Sequence, residues 1–256
     1  MPESNATAAP VPQHSPTPRQ LDDLELLSHG ALAPLTGFEG PDGLVTLQVP
    51  APVAEAASAA GALELIDPEG VPLATVTVDS TYDENGLTGI AGEVTPISHN
   101  EFGAFRRLHL SPQQVREQYD AATLTVPVAG PLTHDDLSRI KQAADGNPIL
   151  LLALVGTGTP EDLSGPGLAR ATLAAARSLP DAHVVAVPLA SRGDANLDHE
   201  LGQRVVSAYA PGEILGVTGD GDLPEEIAVI VDTDRPDRLE QGLVDRTGGL
   251  GLEVHR

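Results

Sequence analysis

Cysteine and tryptophan are absent from this chain of 256 residues, aromatic residues make up 2% of it, and 14 Lys and Arg face 37 Asp and Glu, a formal charge of -23. Each shortage excludes something. Without cysteine there are no disulfides, no thiolate nucleophiles and no Cys-based zinc or iron–sulfur sites, so chemistry rests on His, carboxylates, hydroxyls or backbone groups. A cytoplasmic protein is the expectation. The negative charge repels phosphate backbones and anionic lipid surfaces over a Debye length of about 8 Å at physiological salt, so neither nucleic acid nor membrane is expected as a partner. No window approaches the ~20 apolar residues of a membrane span. Of the eight His, the closest two, His99 and His109, stand ten residues apart, so no metal-ligand pattern is read and no bound metal is expected.

What is present is enough apolar residue, 41%, to bury a core. The opening stretch, MPESNATAAPVPQHSPTP, has neither a basic nor an apolar segment of a secretory signal, and its Pro, Ser and Thr read as a disordered tail over 1–18. From 19 to about 130 the texture is β-rich: LVTLQV (44–49), ALELI (62–66), PLATVTV (72–78), then GLTGI and EVTPI, with a Pro and Gly turn at Asp67-Pro68-Glu69-Gly70. Ser111-Pro112 opens a short helix, and LTVPV (124–128) returns to strand.

Over 131–235 helices and strands alternate. Thr133 caps THDDLSRIKQAA, Gly146 stops it, and ILLLALV (149–155) is the continuous apolar run of a parallel strand covered on both faces. A helix near 167–179, a strand at 183–187, a helix near 197–209 and two strand candidates, EILGV and IAVIV, follow. This βαβ series predicts a doubly wound sheet in which 149–155 and 183–187 are parallel neighbours.

In such a sheet ligands bind beyond the strand C-termini, where a following helix offers free N–H donors. The loop after 149–155 reads VGTGTPEDLSGPG, and Gly156, Thr157, Gly158 and Thr159 are the candidate anion contacts. Glu161 stands where a dinucleotide fingerprint needs glycine, and no Gly-Lys-Ser/Thr follows, so a phosphate cradle and a plain loop both fit the segment. Phe102, Phe105, Arg106, Arg107 and His109 form the densest basic and aromatic cluster, readable as core Phe beside a solvated Arg pair or as a groove wall.

The segment LDDLELLSHGALAPLTGFEGPD (21–42) resembles the start of the N-terminal, PUA-like domain of ATP sulfurylases (sulfate adenylyltransferases), where a D-L-E-L helix runs into G-A-x-x-P-L-T-G-F. The resemblance implies a PUA-like β-rich domain followed by a Rossmann-like nucleotidyltransferase domain, with sulfate and Mg-ATP as substrates. It also likens Pro188 to Asp194, after the strand at 183–187, to the family's P-L-x-G-x-x-x-x-D stretch, which implies Arg192 as an anion contact, where a strand-end arginine also reads as a solvated surface residue, and Asp194 as a site residue beside it. The family's Q-T-R-N-P-x-H-R-x-H after the first catalytic strand has no Arg or His counterpart over 156–167, and its G-R-D-H-A-G is absent, so the catalytic residues are unassigned. Further on, Arg235-Pro236-Asp237-Arg238 and Gly242-Leu243-Val244 resemble the linker that leads into an APS kinase in bacterial fusions, without the kinase that follows it there, which implies a linker remnant over 236–256. Two functions follow from the resemblance: a degenerate or weakly active sulfurylase, or a non-catalytic scaffold or regulatory partner of an APS kinase.

Overall fold

The computed structural model describes residues 10–84, 86–98, 105–158 and 163–234. In chain order the elements are β1 (Gln13–His14), α1 (Pro18–Ser28), β2 (Gly37–Phe38), β3 (Leu47–Val49), α2 (Ala51–Ala60), β4 (Ala62–Ile66), β5 (Pro72–Thr77), β6 (Ser80–Glu84) and β7 (Leu87–Pro96). After a 3-10 turn at Arg106–Leu108 come α3 (Pro112–Gln118), β8 (Leu124–Val128), α4 (His134–Ala144), β9 (Ile149–Leu154), α5 (Gly165–Arg177), β10 (Ala182–Val187), α6 (Ala195–Tyr209) and α7 (Glu225–Asp234). The chain divides into two compact units that interleave in sequence. The first holds Met1–Gly103, Ser111–Gln113 and Pro188–Tyr209, and the second Ala104–Leu110, Gln114–Val187 and Ala210–Arg256.

The first unit is organised by β7, whose first half pairs with β3 and β6 and whose second half pairs with β2 and β5. One strand serves two pairs of partners because it changes neighbours midway, at Gly92, where Thr77 carbonyl oxygen occupies the place of a side chain. The turn between β4 and β5 closes as its residues dictate: Asp67 Oδ1 accepts from the backbone N–H of Glu69 and of Val71, each at 2.8 Å. Helix α1 begins with a capping box, Thr17 and Gln20 exchanging side-chain and backbone hydrogen bonds, and buries Leu24, Leu26 and Leu27. The stretch 13–17, assigned to the tail by composition, is structured: β1 pairs parallel with β4, Gln13 opposite Glu64, and Pro16 is buried. Helix α2 is absent from the strand pattern read above. It forms because APVAEAASAA is mostly alanine, with proline in its first turn and Gly61 left-handed (φ 75°) at its end.

The second unit is a parallel sheet in the order β10-β9-β8, with register running from Ile149 opposite Ala182 to Leu154 opposite Val187. The neighbouring strands are those the apolar runs predict. Every residue of β9 is buried, and its companions Val126, Leu168, Ala171 and Ile227 belong to the same core cluster. Helix α4 carries the expected cap, Thr133 and Asp136 exchanging hydrogen bonds, and Thr218 N–H adds a third donor to the buried Asp136 carboxylate.

The fold class is α/β, but its arrangement corrects the expected one twice. The β-rich sheet is not a self-contained PUA-like domain at 19–130, because the unit that holds it also takes in 188–209 with α6. Nor is the second unit the doubly wound Rossmann-like sheet expected over 131–235. EILGV contributes one parallel bridge, Ile214 to Thr125, through Thr125 N–H to Glu213 O and Leu215 N–H to Thr125 O, both 2.8 Å. The next rung would need an N–H from residue 127, which is proline, so the ladder stops. IAVIV is helical: it lies in α7, which starts after Pro224 with Glu225 and Glu226 in its first turn.

Helical periodicity places Ile227, Ile230 and Val231 against the core and leaves Val229 57% exposed, whereas a strand would bury 227, 229 and 231 together. Replacing Ile227, 2% exposed, with Ala is expected to cost about 2–5 kcal/mol in chemical denaturation, and Val229→Ala to stay within about 0.5. Comparable losses at both positions would contradict a helical α7.

Candidate functional site

The loop that follows β9 in the second unit is where a parallel sheet offers an anion its best binding place. Gly156 is buried there, Thr157 and Gly158 are exposed, and Thr159 lies outside the described residues. The helix after the loop, α5, starts with Ser164 as N-cap, its Oγ accepting from Gly167 N–H at 3.0 Å. The positive end of that helix already holds an anion. Asp234, from the end of α7 and 5% exposed, accepts Ser164 N–H at Oδ2 (2.8 Å) and the Arg170 guanidinium at Oδ1 (2.5 Å). Gly167 has no space for a side chain because the Asp234 carboxylate fills it.

Arg192 and Asp194 belong to the first unit, whereas Gly156, Thr157 and Gly158 belong to the second. Arg192 too has its anion. Both terminal nitrogens of its guanidinium donate to the two carboxylate oxygens of Asp23 on α1, the Nη1 to Oδ2 contact being 2.9 Å, and the side chains are 4% and 0% exposed. Burial pushes the Asp23 carboxyl above its ordinary range; the hydrogen bond and charge of Arg192, and more weakly the charge of Arg19, pull it back. The backbone around Arg192 is fixed by Asp198, which accepts from Ser191 Oγ at 2.8 Å and from Arg192 N–H. Asp194 caps α6, its Oδ1 accepting from Asn196 N–H (2.9 Å) and Leu197 N–H (3.1 Å).

Asp23 and Asp234 escaped the sequence reading for different reasons. Asp23 shares the i, i+3, i+4, i+7 face of α1 with Gln20, Leu24 and Leu27, all buried, so its period alone marked an acid in need of a buried cation. Asp234 gave no signal, since the run before it reads as a strand. Of the basic and aromatic cluster, Phe102 lies outside the described residues, Phe105 is half-buried, Arg107 is exposed, and Arg106 Nη1 lies 3.1 Å from His109 Nδ1. The linker resemblance at 235–244 also falls outside the described residues. Among the described residues no group of three or more His, Asp or Glu is placed to hold a metal ion, and no helix is long and apolar enough to cross a membrane.

No family model and no curated protein matches the chain. A solved structure does: a hexameric APS kinase from Thiobacillus denitrificans, with a TM-score of 0.67 and 22% sequence identity over 88% of this chain and 50% of that one. What is shared is the fold. The chain therefore spans half the length of the solved chain it resembles. This finding overturns the reading of the chain as an ATP sulfurylase-like protein with no kinase portion, because the protein whose fold it shares is an APS kinase. The PUA-like assignment, which rested on the sulfurylase resemblance, falls with it.

The tight seat of Asp234 reverses the usual sign of a glycine substitution. At an exposed helix position Gly→Ala gains about 0.5–1 kcal/mol; Gly167→Ala, which drives a methyl group into the carboxylate, is expected to cost about 1–3 kcal/mol in urea denaturation. A neutral or stabilising result would show that Asp234 does not occupy the start of α5.

Proposed function

We propose that this chain acts in sulfate activation as a non-catalytic scaffold or regulatory partner of an APS kinase. One observation carries the reading: the elements best suited to hold sulfate or the phosphates of ATP already carry the chain's own carboxylates, Asp234 at the start of α5 and Asp23 on Arg192. Phosphoryl and nucleotidyl transfer depend on positioned cations aimed at the charge that develops, and removing one such donor typically costs about 100- to 1000-fold in rate. A cation neutralised by a buried carboxylate is removed in that sense. On this reading the 156–159 loop, Arg192 and Asp194 serve the architecture rather than ATP or sulfate. The fold shared with half of a hexameric APS kinase chain supports the choice of partner.

The test is to purify the chain, mix it with an APS kinase, and follow the mixture by size-exclusion chromatography with light scattering. In parallel the chain alone is assayed for sulfate-dependent pyrophosphate release from Mg-ATP. The expected outcome is a complex that elutes ahead of either protein, with pyrophosphate at background. Separate elution would contradict the partner role, and sulfate-dependent release that vanishes in Arg192→Ala would contradict the non-catalytic one.

A further inference from the structure

A cleft of about 400 Å³ opens in the first unit, lined by Thr17, Arg19 and Gln20 at the start of α1, by Thr46 and Gln48 of the chain leading through β3, and by Glu84 of β6, with Leu44, Leu87 and Leu197 among its apolar walls. Its size falls in the range of sites that enclose small organic ligands, about 300–1,000 Å³. Its polar groups are arranged rather than scattered. Arg19 Nη2 donates to Thr46 Oγ1 (3.2 Å), and a separate series runs from Gln20 Nε2 to Gln48 carbonyl oxygen (2.9 Å) and from Gln48 Nε2 to Glu84 Oε2 (2.7 Å).

Arg19 is the cation of this cleft that has no carboxylate bonded to it. Arg170, Arg177 and Arg192 each pair with a carboxylate; Arg19 is half-buried and forms no ion pair among the described residues. It also sits in the first turn of α1, which carries no acidic residue, so the positive end of that helix adds to its charge. Arg192 lines the same cleft, and its Nε–H, buried with the rest of the side chain, has no partner among the described residues. The Arg19 guanidinium thus lines a concave site with no carboxylate in hydrogen-bond contact, Asp23 only feeling its charge, in a protein of charge -23.

We propose that this cleft binds a small organic phosphate or sulfate ester, with the oxyanion on the Arg19 guanidinium and a hydroxylated body whose donors meet Glu84. Glu84 excludes a bare polyanion and favours a ligand that offers hydrogen-bond donors away from its charged end. The exposed Leu87 and Leu197, 39% and 41% accessible, give its apolar part a surface. The site is independent of the kinase partnership, because every group in it comes from the first unit of this chain alone.

The experiment is calorimetric titration of the full chain with adenosine 5′-monophosphate, ribose 5-phosphate, adenosine and inorganic phosphate. Binding of one or both esters with a Kd of about 1 mM or tighter is expected, with adenosine and inorganic phosphate each at least about tenfold weaker. Arg19→Gln is expected to weaken ester binding by at least about tenfold, the loss of one charge-assisted hydrogen bond, while leaving the melting temperature of the ligand-free protein within about 2 °C. If that variant melts lower, saturation of the wild-type protein with the better ester provides the second readout, raising its melting temperature where adenosine at the same concentration does not. No heat and no thermal shift with either ester at about 10 mM, or ester binding unaltered by Arg19→Gln, would overturn the proposal.

Discussion

The ion pair between Arg192 and Asp23 fixes much of what the first unit is. It joins residues 169 apart in sequence, both almost wholly withdrawn from water, through two parallel hydrogen bonds. Taking two charges out of water is costly, and a bidentate arginine–carboxylate geometry is among the few that offset the loss. Once made, the pair is hard to break, because removing either partner strands a buried charge. It seats the 188–194 segment on α1, Asp198 holds the backbone of that segment from the other side, and Asp194 starts α6. A residue that could have met a ligand anion is thereby built into the architecture.

The second unit repeats the device with different parts. Asp234 closes the start of α5 as a bound phosphate would, accepting a backbone N–H and a guanidinium, and Gly167 is small so that it can. In a chain with 37 acidic and 14 basic residues, each guanidinium is surrounded by candidate counter-ions of the same chain. That excess turns places which would attract anions into internal salt bridges. Arg19 escapes because the first turn of α1 has no acid and its nearest polar partner is a hydroxyl, Thr46.

The legible parts of the fold were those where local signals agree with burial. Thr133 before an amphipathic run, Ser111-Pro112 before a short helix, and the unbroken apolar stretch at 149–155, whose strand ends at Leu154, all led to the elements they announce. The failures have physical causes that single-residue pattern hides. Ile227, Val229, Ile230 and Val231 suit a strand by residue type, yet in α7 Ile227, Ile230 and Val231 face the core at the i, i+3, i+4 spacing of a helix. Pro127 ends a ladder from the opposite strand, a constraint invisible in EILGV itself. At the site, Arg192 reads as a candidate ligand contact; that its carboxylate partner is Asp23 follows from a contact between distant parts of the chain. Arg19 drew no notice because it stood at the edge of a proline-rich tail, whereas β1 and the Thr17 cap carry the ordered structure up to it.

Arg192 serves the first unit as a structural cation, and a double-mutant cycle over Asp23 and Arg192 tests that most directly. Asp23→Leu and Arg192→Met should each cost about 3–5 kcal/mol in chemical denaturation, since each leaves a buried charge unpaired, and the double variant should cost less than either, with a coupling energy of a few kcal/mol. Small and additive losses, within about 1 kcal/mol each, would mean that the pair does not hold the segment, and would return Arg192 to the pool of residues free to meet a ligand.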